Sequence, residues 1–390
     1  MGEVDCVSVR VQVEPALLRW AVERAGWSDD QVAKRAPKLN AWLAGDARPT
    51  LKQLEQFAQA THAPIGLLFL PTPPDEPVPI PDMRTIGNRS ISRPSVDLLD
   101  TIYSCQSRQD WYRDYANMHG YPHVEFVGSA RLSDNPLTVA GHVRQLLRFE
   151  IEDRVSFPSW KEALRGLIDR IENAGVLVMV NGIVGVDTHR KLDPREFRGF
   201  ALSDPVAPLI FVNGADTKAA QIFTMVHELA HVYLGQSALS DAALAKQTDN
   251  DAEKWCNLVA AEVLVPMMDL RGAYRGDPTV AELTRLARRY RVSTLVVLKR
   301  LFDGKFLQWD DYQSRYADEL SRVMALLKAG EGSGGGDFYN VHPLRLSRQF
   351  ARAVITDTLE GGTQFRDAYS LLGTKKHQTF QNLVEKIGAA

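Results

Sequence analysis

The chain has 390 residues, 45% of them apolar and 24% charged, with a net charge of −2. That length suits two or three domains with a sizeable core, and the balance excludes a generally basic nucleic-acid coat while leaving a local basic face open. The three cysteines, Cys6, Cys105 and Cys256, form no paired framework, no apolar run reaches about 18 residues, and the charged N-terminus lacks a signal-peptide core; together these point to a cytoplasmic protein without a membrane span.

Residues 14–71 read as a bundle of short helices. Pro15 suits the first turn of a helix ending at Ala25, before Gly26. Ser28 can cap Asp29–Ala36, Pro37 breaks the run, and Lys38–Ala44 stops at Gly45. Thr50 caps a fourth helix through Ala60, and Ile65–Leu70 is a short apolar piece. The spacing of Trp42, Gly45, Pro49-Thr50 and Leu54 resembles the W-x-x-G-x-x-x-P-T-x-x-x-L pattern of Xre-type helix-turn-helix domains. That resemblance implies DNA binding, with Lys34, Arg35, Lys38, Asn40 and Arg48 as the residues to face phosphates or bases. The local balance of seven Lys/Arg against six Asp/Glu over 14–70 is thin for phosphate-driven binding. A solvated face used for dimerisation or partner docking is the competing reading.

Residues 72–96, punctuated by Pro73, Pro74, Pro77, Pro79, Pro81 and Pro94, read as a semi-rigid linker. A domain over 97–329 follows. Helices are expected at Asp97–His119, Pro136–Phe149 and Ser159–Asn173, and strands at Val176–Val180, Arg198–Ser203 and Leu209–Val212. His189, in a charged stretch, reads as a surface loop residue, and Cys256 as a small core residue. The basic pattern over Val280–Phe302 reads as a helix pair. A Gly-rich linker, 330–336, leads to a helical module at 337–390, with Phe350, Val354, Ile355 and Leu359 on one face. At that size it is marginal alone; it is expected to dock on the preceding domain, a partner or a second copy. The fold class is α+β, mostly helical.

The chemistry centres on His227-Glu228-Leu229-Ala230-His231 in an apolar stretch that should be a buried helix. Histidines four apart lie on one face, one turn apart, so both imidazoles can reach one Zn²⁺, with the adjacent glutamate placed as general base. Buried histidines need partners. A third ligand is required; Glu253 suits it best, after a loop and a return helix, with Asp249, Asp251 and Glu262 as alternatives. Asn257, one turn beyond Glu253, can orient a ligand. Tyr233 is read as packing, with an oxyanion role the lesser alternative.

The run Glu253–Pro266 resembles the E-x-x-A-N-x-F-A-x-x-L-L-M-P signature of the ImmA/IrrE metallopeptidase family, with Cys256, Val259 and Val263 among the departures. The two motif blocks cover roughly 198–266. The resemblance implies a gluzincin-type fold with a small sheet, His227, His231 and Glu253 as zinc ligands and Glu228 as base. It also implies that the 280–302 helix pair packs on the peptidase core. Pro81-Asp82-Met83-Arg84 is similar to a P-D-F-R element of longer members, expected to pin the linker. The function expected is a DNA-binding regulator whose zinc peptidase cuts a partner or repressor protein. The alternative is an antitoxin-like transcriptional regulator that binds its promoter and a toxin-like partner, with a structural or inactive zinc site.

Overall fold

Helix boundaries follow the caps written into the chain. The computed structural model describes residues 9–83, 94–240, 250–330 and 345–387; Cys6, Arg84, Asp249 and the Gly-rich stretch from 331 lie outside these. The chain divides into two compact units, 1–79 with 92–100, and 80–91 with 101–390.

In the first unit, α1 (Pro15–Arg24), α2 (Asp29–Arg35), α3 (Leu39–Ala44) and α4 (Leu51–Thr61) precede a 3-10 turn at Ile65–Phe69. Gly45 takes the left-handed backbone that ends α3 (φ 82°). Thr50 and Gln53 cap α4 reciprocally, each side chain accepting from the other's backbone N–H at 3.2 and 2.9 Å. Leu17, Leu18, Leu54 and Leu68 fill the core, and Trp42 meets Phe57 edge-on at 6.0 Å. The Pro-rich stretch folds back on this bundle, with Glu76 paired to Arg24 at 2.8 Å.

The second unit is built on a mixed four-stranded sheet in the order β1-β5-β4-β6: β1 is Leu177–Asn181, β4 Gly199–Leu202, β5 Leu209–Asn213 and β6 Ala238–Ser240. A small hairpin, β2 (Ile183–Val184) with β3 (Asp187–Lys191), stands apart. β1 runs parallel to β5 in the register Leu177↔Leu209, and β4 is antiparallel to both β5 and β6. On one face, alternate residues Val178, Ala201, Ile210 and Val212 join a core with α6 (Pro136–Leu147), α8 (Trp160–Asn173), α9 (Lys218–Tyr233) and α10 (Asp251–Leu264). On the other, Phe200 stacks on Phe211 at 5.0 Å. The long helix α5 (Val96–Met118) reaches this sheet through Gln109, which donates to the carbonyls of Leu202 and Ala207 at 2.9 and 2.8 Å.

Five short elements fall where the sequence shows no strong period: the hairpin strands β2 and β3, strand β6, and helices α7 (Ile151–Val155) and α11 (Met267–Ala273); α14 (Trp309–Gly330) was also unanticipated. His189 lies on β3 rather than in a loop, with its side chain exposed as expected. Helices α12 (Val280–Tyr290) and α13 (Thr294–Asp303) pack on the same core as α10. Four of their basic residues take local partners: Arg285 pairs with Glu282, Arg289 with Asp269, Lys299 with Asp303 and Arg300 with Glu262. The P-D-M element is also held: Met83 donates to the Leu239 carbonyl and Leu239 to that of Pro81, both at 2.9 Å, adding a short parallel bridge to β6. The C-terminal helices α15 (Arg348–Leu359), α16 (Phe365–Leu371) and α17 (His377–Ile387) dock on α5 and α8. Phe350 meets Trp111 edge-on at 5.6 Å, Gln349 donates to the Tyr112 hydroxyl at 2.7 Å, and Glu172 accepts from Ser347 and the Arg348 backbone.

Candidate metal centre

Two helices meet to make the centre. Thr217 caps α9, its hydroxyl accepting from the Ala220 N–H at 3.1 Å, and the helix runs buried from Gln221 to Tyr233. Asn250 caps α10 by accepting from the N–H groups of Ala252 and Glu253 at 2.9 and 3.3 Å, which fixes Glu253 in the first turn. His227, His231 and Glu253 converge, one ligand atom of each lying within 4.8 Å of the others. Nε2 of His231 is 3.2 Å from Nε2 of His227 and 3.0 Å from Glu253 Oε1, and His227 Nε2 is 3.3 Å from Glu253 Oε2. The exposure of His227, Glu228 and His231 is 0%, and that of Glu253 is 3%.

The electrostatics of this cluster follow from burial. Burial first, then the charge of Glu253, pushes Glu228 well above the usual carboxylate range. Burial would raise Glu253 as well, but the two histidines outweigh it and hold its carboxyl far below that range. Burial also lowers His231. Three acceptor-bearing groups pointing at one another in a dry site form a cation's donor set. Two nitrogens and a carboxylate are the ligand types of zinc sites that keep an open position.

Not every candidate is brought to the centre. Asp251 is exposed and pairs with Lys254 at 3.2 Å. Glu262 is committed to Arg300, as a buried ion pair, and to the Met267 N–H. Asn257 makes no hydrogen bond to a ligand; its buried Oδ1 has no partner among the described residues. Tyr233 stacks on Phe126 at 4.8 Å and packs, its hydroxyl pushed up to about 12 by burial. Cys256 is buried in the core, its thiol raised by burial.

Two neighbours of the cluster escape sequence reasoning. The Ser240 hydroxyl on β6 donates to Glu253 at 3.2 Å and lies 3.3 Å from His231 Nε2. No motif marks it. Gly199 on β4 lies directly against Glu228: a Cβ there would sit 3.1 Å from Glu228 Oε1 and 2.6 Å from Thr224 Cγ2. A glycine inside a strand pattern is the signal that a close approach occurs there.

Residues 171–302, from the end of α8 to α13, match the family model described as the IrrE N-terminal-like domain of the M78 peptidases. The chain carries an ImmA/IrrE-type metallopeptidase domain. Its sequence is similar to the radiation response metalloprotease IrrE of Deinococcus radiodurans, 33% identical over 129 residues, 32% of this chain. The match spans 38% of that relative's length. Residues 346–386, the docked C-terminal helices, match a domain of unknown function, DUF8813. Among the described residues no helix is long and apolar enough to cross a membrane. The candidates for DNA contact, Lys34, Arg35, Lys38, Asn40 and Arg48, all lie exposed on the first unit, Arg35 with its guanidinium 5.5 Å from the Trp27 ring.

Proposed function

We propose that the chain is a regulator whose IrrE-like domain is a zinc-dependent peptidase acting on a partner or repressor protein, with the N-terminal bundle docking on DNA. The observation that carries the reading is the convergence of His227, His231 and Glu253 with Glu228 beside them on the same helix. The first three would hold Zn²⁺. When bound, zinc supplies a Lewis acid that polarises a peptide carbonyl and lowers the pKa of water toward neutrality. The chain's own part is proton handling and positioning. A divalent cation offsets the charge of Glu253, which favours the ionised Glu228 a general base requires. Glu228 then takes a proton at its carboxylate and returns it to the leaving amine. Ser240 orients Glu253, and the strand at Gly199 limits where Glu228 can swing.

Glu228→Gln tests this directly. The variant should keep its metal, and a partner protein recovered intact with it should be found cut with the wild type. Metal analysis of purified protein and of His227→Ala tests the zinc assignment. Exposure of Lys34, Arg35, Lys38, Asn40 and Arg48 supports DNA docking, tested by a mobility shift on the chain's own upstream DNA at low salt. One observation favours a second reading. All four central side chains are buried, as suits a structural or inactive zinc site in an antitoxin-like transcriptional regulator holding a toxin-like partner or a second copy. Recovery of the same intact partner with wild type and Glu228→Gln would favour it.

A further inference from the structure

A second site lies at the opposite end of the metal-binding helix. A cavity of about 360 Å³ opens where β1 and β5, running parallel, end at Gly182 and Gly214 beside the start of α9. Five cations line it: Lys161 and Arg165 from α8, Lys191 from β3, Lys218 at the first position of α9, and Arg345. No acidic residue lines it, and among the described residues none of the five is ion-paired with a carboxylate. In a chain of net charge −2 this gathering of like charge is not a general surface property. Lys161 and Arg165 stand one turn apart on a single helix face, a like-charge pair that is mildly unfavourable by itself. Burial, with Lys161 and Arg165 nearby, holds Lys218 below the usual lysine range, and burial does the same for Arg345.

The backbone is shaped for the same purpose. A Cβ on Gly182 would lie 2.8 Å from the Ala215 nitrogen, and one on Gly214 would lie 2.8 Å from the Gly182 nitrogen. The two strand ends therefore close on each other only because both are glycine. The first N–H groups of a 16-residue helix, apart from that of Ala220, which Thr217 caps, add positive potential to the cation ring. Apart from Asn181 and the two glycines, the remaining walls are aliphatic, from Leu164, Ile168, Val180 and Ile183.

We propose that this cavity binds a nucleotide, its di- or triphosphate among the five cations and its base against the aliphatic wall. Five positive charges call for several negative ones, more than one carboxylate supplies. The apolar wall calls for a ligand with a flat, weakly polar part. The volume suits a small molecule and is too small for a nucleic-acid duplex or a folded protein segment. The proposal does not depend on peptidase activity, because binding is read without proteolysis.

The test is calorimetric titration of the full 390-residue chain with ADP, ATP, inorganic pyrophosphate, a hexaglutamate peptide and a short single-stranded oligonucleotide. ADP or ATP should bind with one site per chain, tighter than pyrophosphate, and more weakly as salt is raised. The double variant Arg165→Gln/Lys218→Gln should lose affinity by roughly ten- to hundredfold, since charge-assisted phosphate contacts are removed. Its far-ultraviolet circular dichroism should match the wild type. Nucleotide should raise the Tm of the wild type and not of the variant. No nucleotide binding at about 1 mM, a scale already weak for a specific site, would overturn the proposal. So would equal affinity in the double variant, or pyrophosphate binding as tightly as ADP. Binding of the oligonucleotide or the acidic peptide in preference to nucleotide would also overturn it and assign the cations to a macromolecule.

Discussion

Glu228 and Glu253 show how position decides the behaviour of one side-chain type. Both are buried, yet one is pushed up by burial and by its neighbour's charge, while the other is held down by two imidazoles. Glu228→Gln keeps size and hydrogen-bonding shape, so the variant is expected to retain metal while peptide cleavage falls by roughly 10²–10⁴-fold, the usual worth of a general base. Mass spectrometry of the partner and elemental analysis of the protein check the two halves separately. His227→Ala should instead empty the centre, read as loss of bound metal on the same preparation. Gly199→Ala is a steric probe. The added Cβ meets Thr224 and Glu228 on α9, so overpacking should cost about 1–3 kcal/mol in urea unfolding. An unchanged midpoint would show that β4 and α9 are not in the close contact described.

At the scale of elements, α9 is polar at both ends and apolar between. Its first turn faces the cation-lined cavity and its last two turns carry the histidines. The C-terminal helices dock through a group whose ionisation can be followed. Glu172 on α8 accepts from Ser347 and the Arg348 N–H, and burial raises it to about 7 from an ordinary 4.5 against the opposing pull of those two bonds. Asp169, which pairs with Arg348 at 3.3 Å, adds to the rise. A carboxyl raised in the folded state contributes stability that is complete below the unfolded value and lost as pH climbs through the folded one. Rising pH between 4.5 and about 7 is therefore expected to weaken this contribution, by about 3 kcal/mol in all. Thermal melts of wild type and Glu172→Gln across that range check it: the variant's Tm should vary less with pH, and parallel curves would rule the assignment out.

Across the whole molecule, two compact units divide the chain, and the buried cluster of His227, His231 and Glu253 belongs to one of them. A metal that binds the folded centre stabilises that unit by mass action. Chelation is expected to lower the calorimetric transition of the second unit and leave that of the first in place. A uniform fall of both would show the centre to be linked to the N-terminal bundle. The sequence alone determined what depends on neighbours a few residues away. The cap at Thr50, the stop at Gly45, and the pairing of His227 with His231 one turn apart are local relations fixed by helix geometry. The mostly helical α+β class and the IrrE-like motif blocks were legible for the same reason. Glu253 was the best of four candidates, since a spacing of 22 residues leaves the return path open; the convergence of its carboxylate with both imidazoles in one cluster is a tertiary fact. Ser240 and the ring of Lys161, Arg165, Lys191, Lys218 and Arg345 were invisible in the sequence, and Gly199 signalled a close approach without naming Glu228 as what it approaches. They come from separate strands, helices and loops that only the packing of the sheet against α8, α9 and α10 brings within hydrogen-bonding or electrostatic reach.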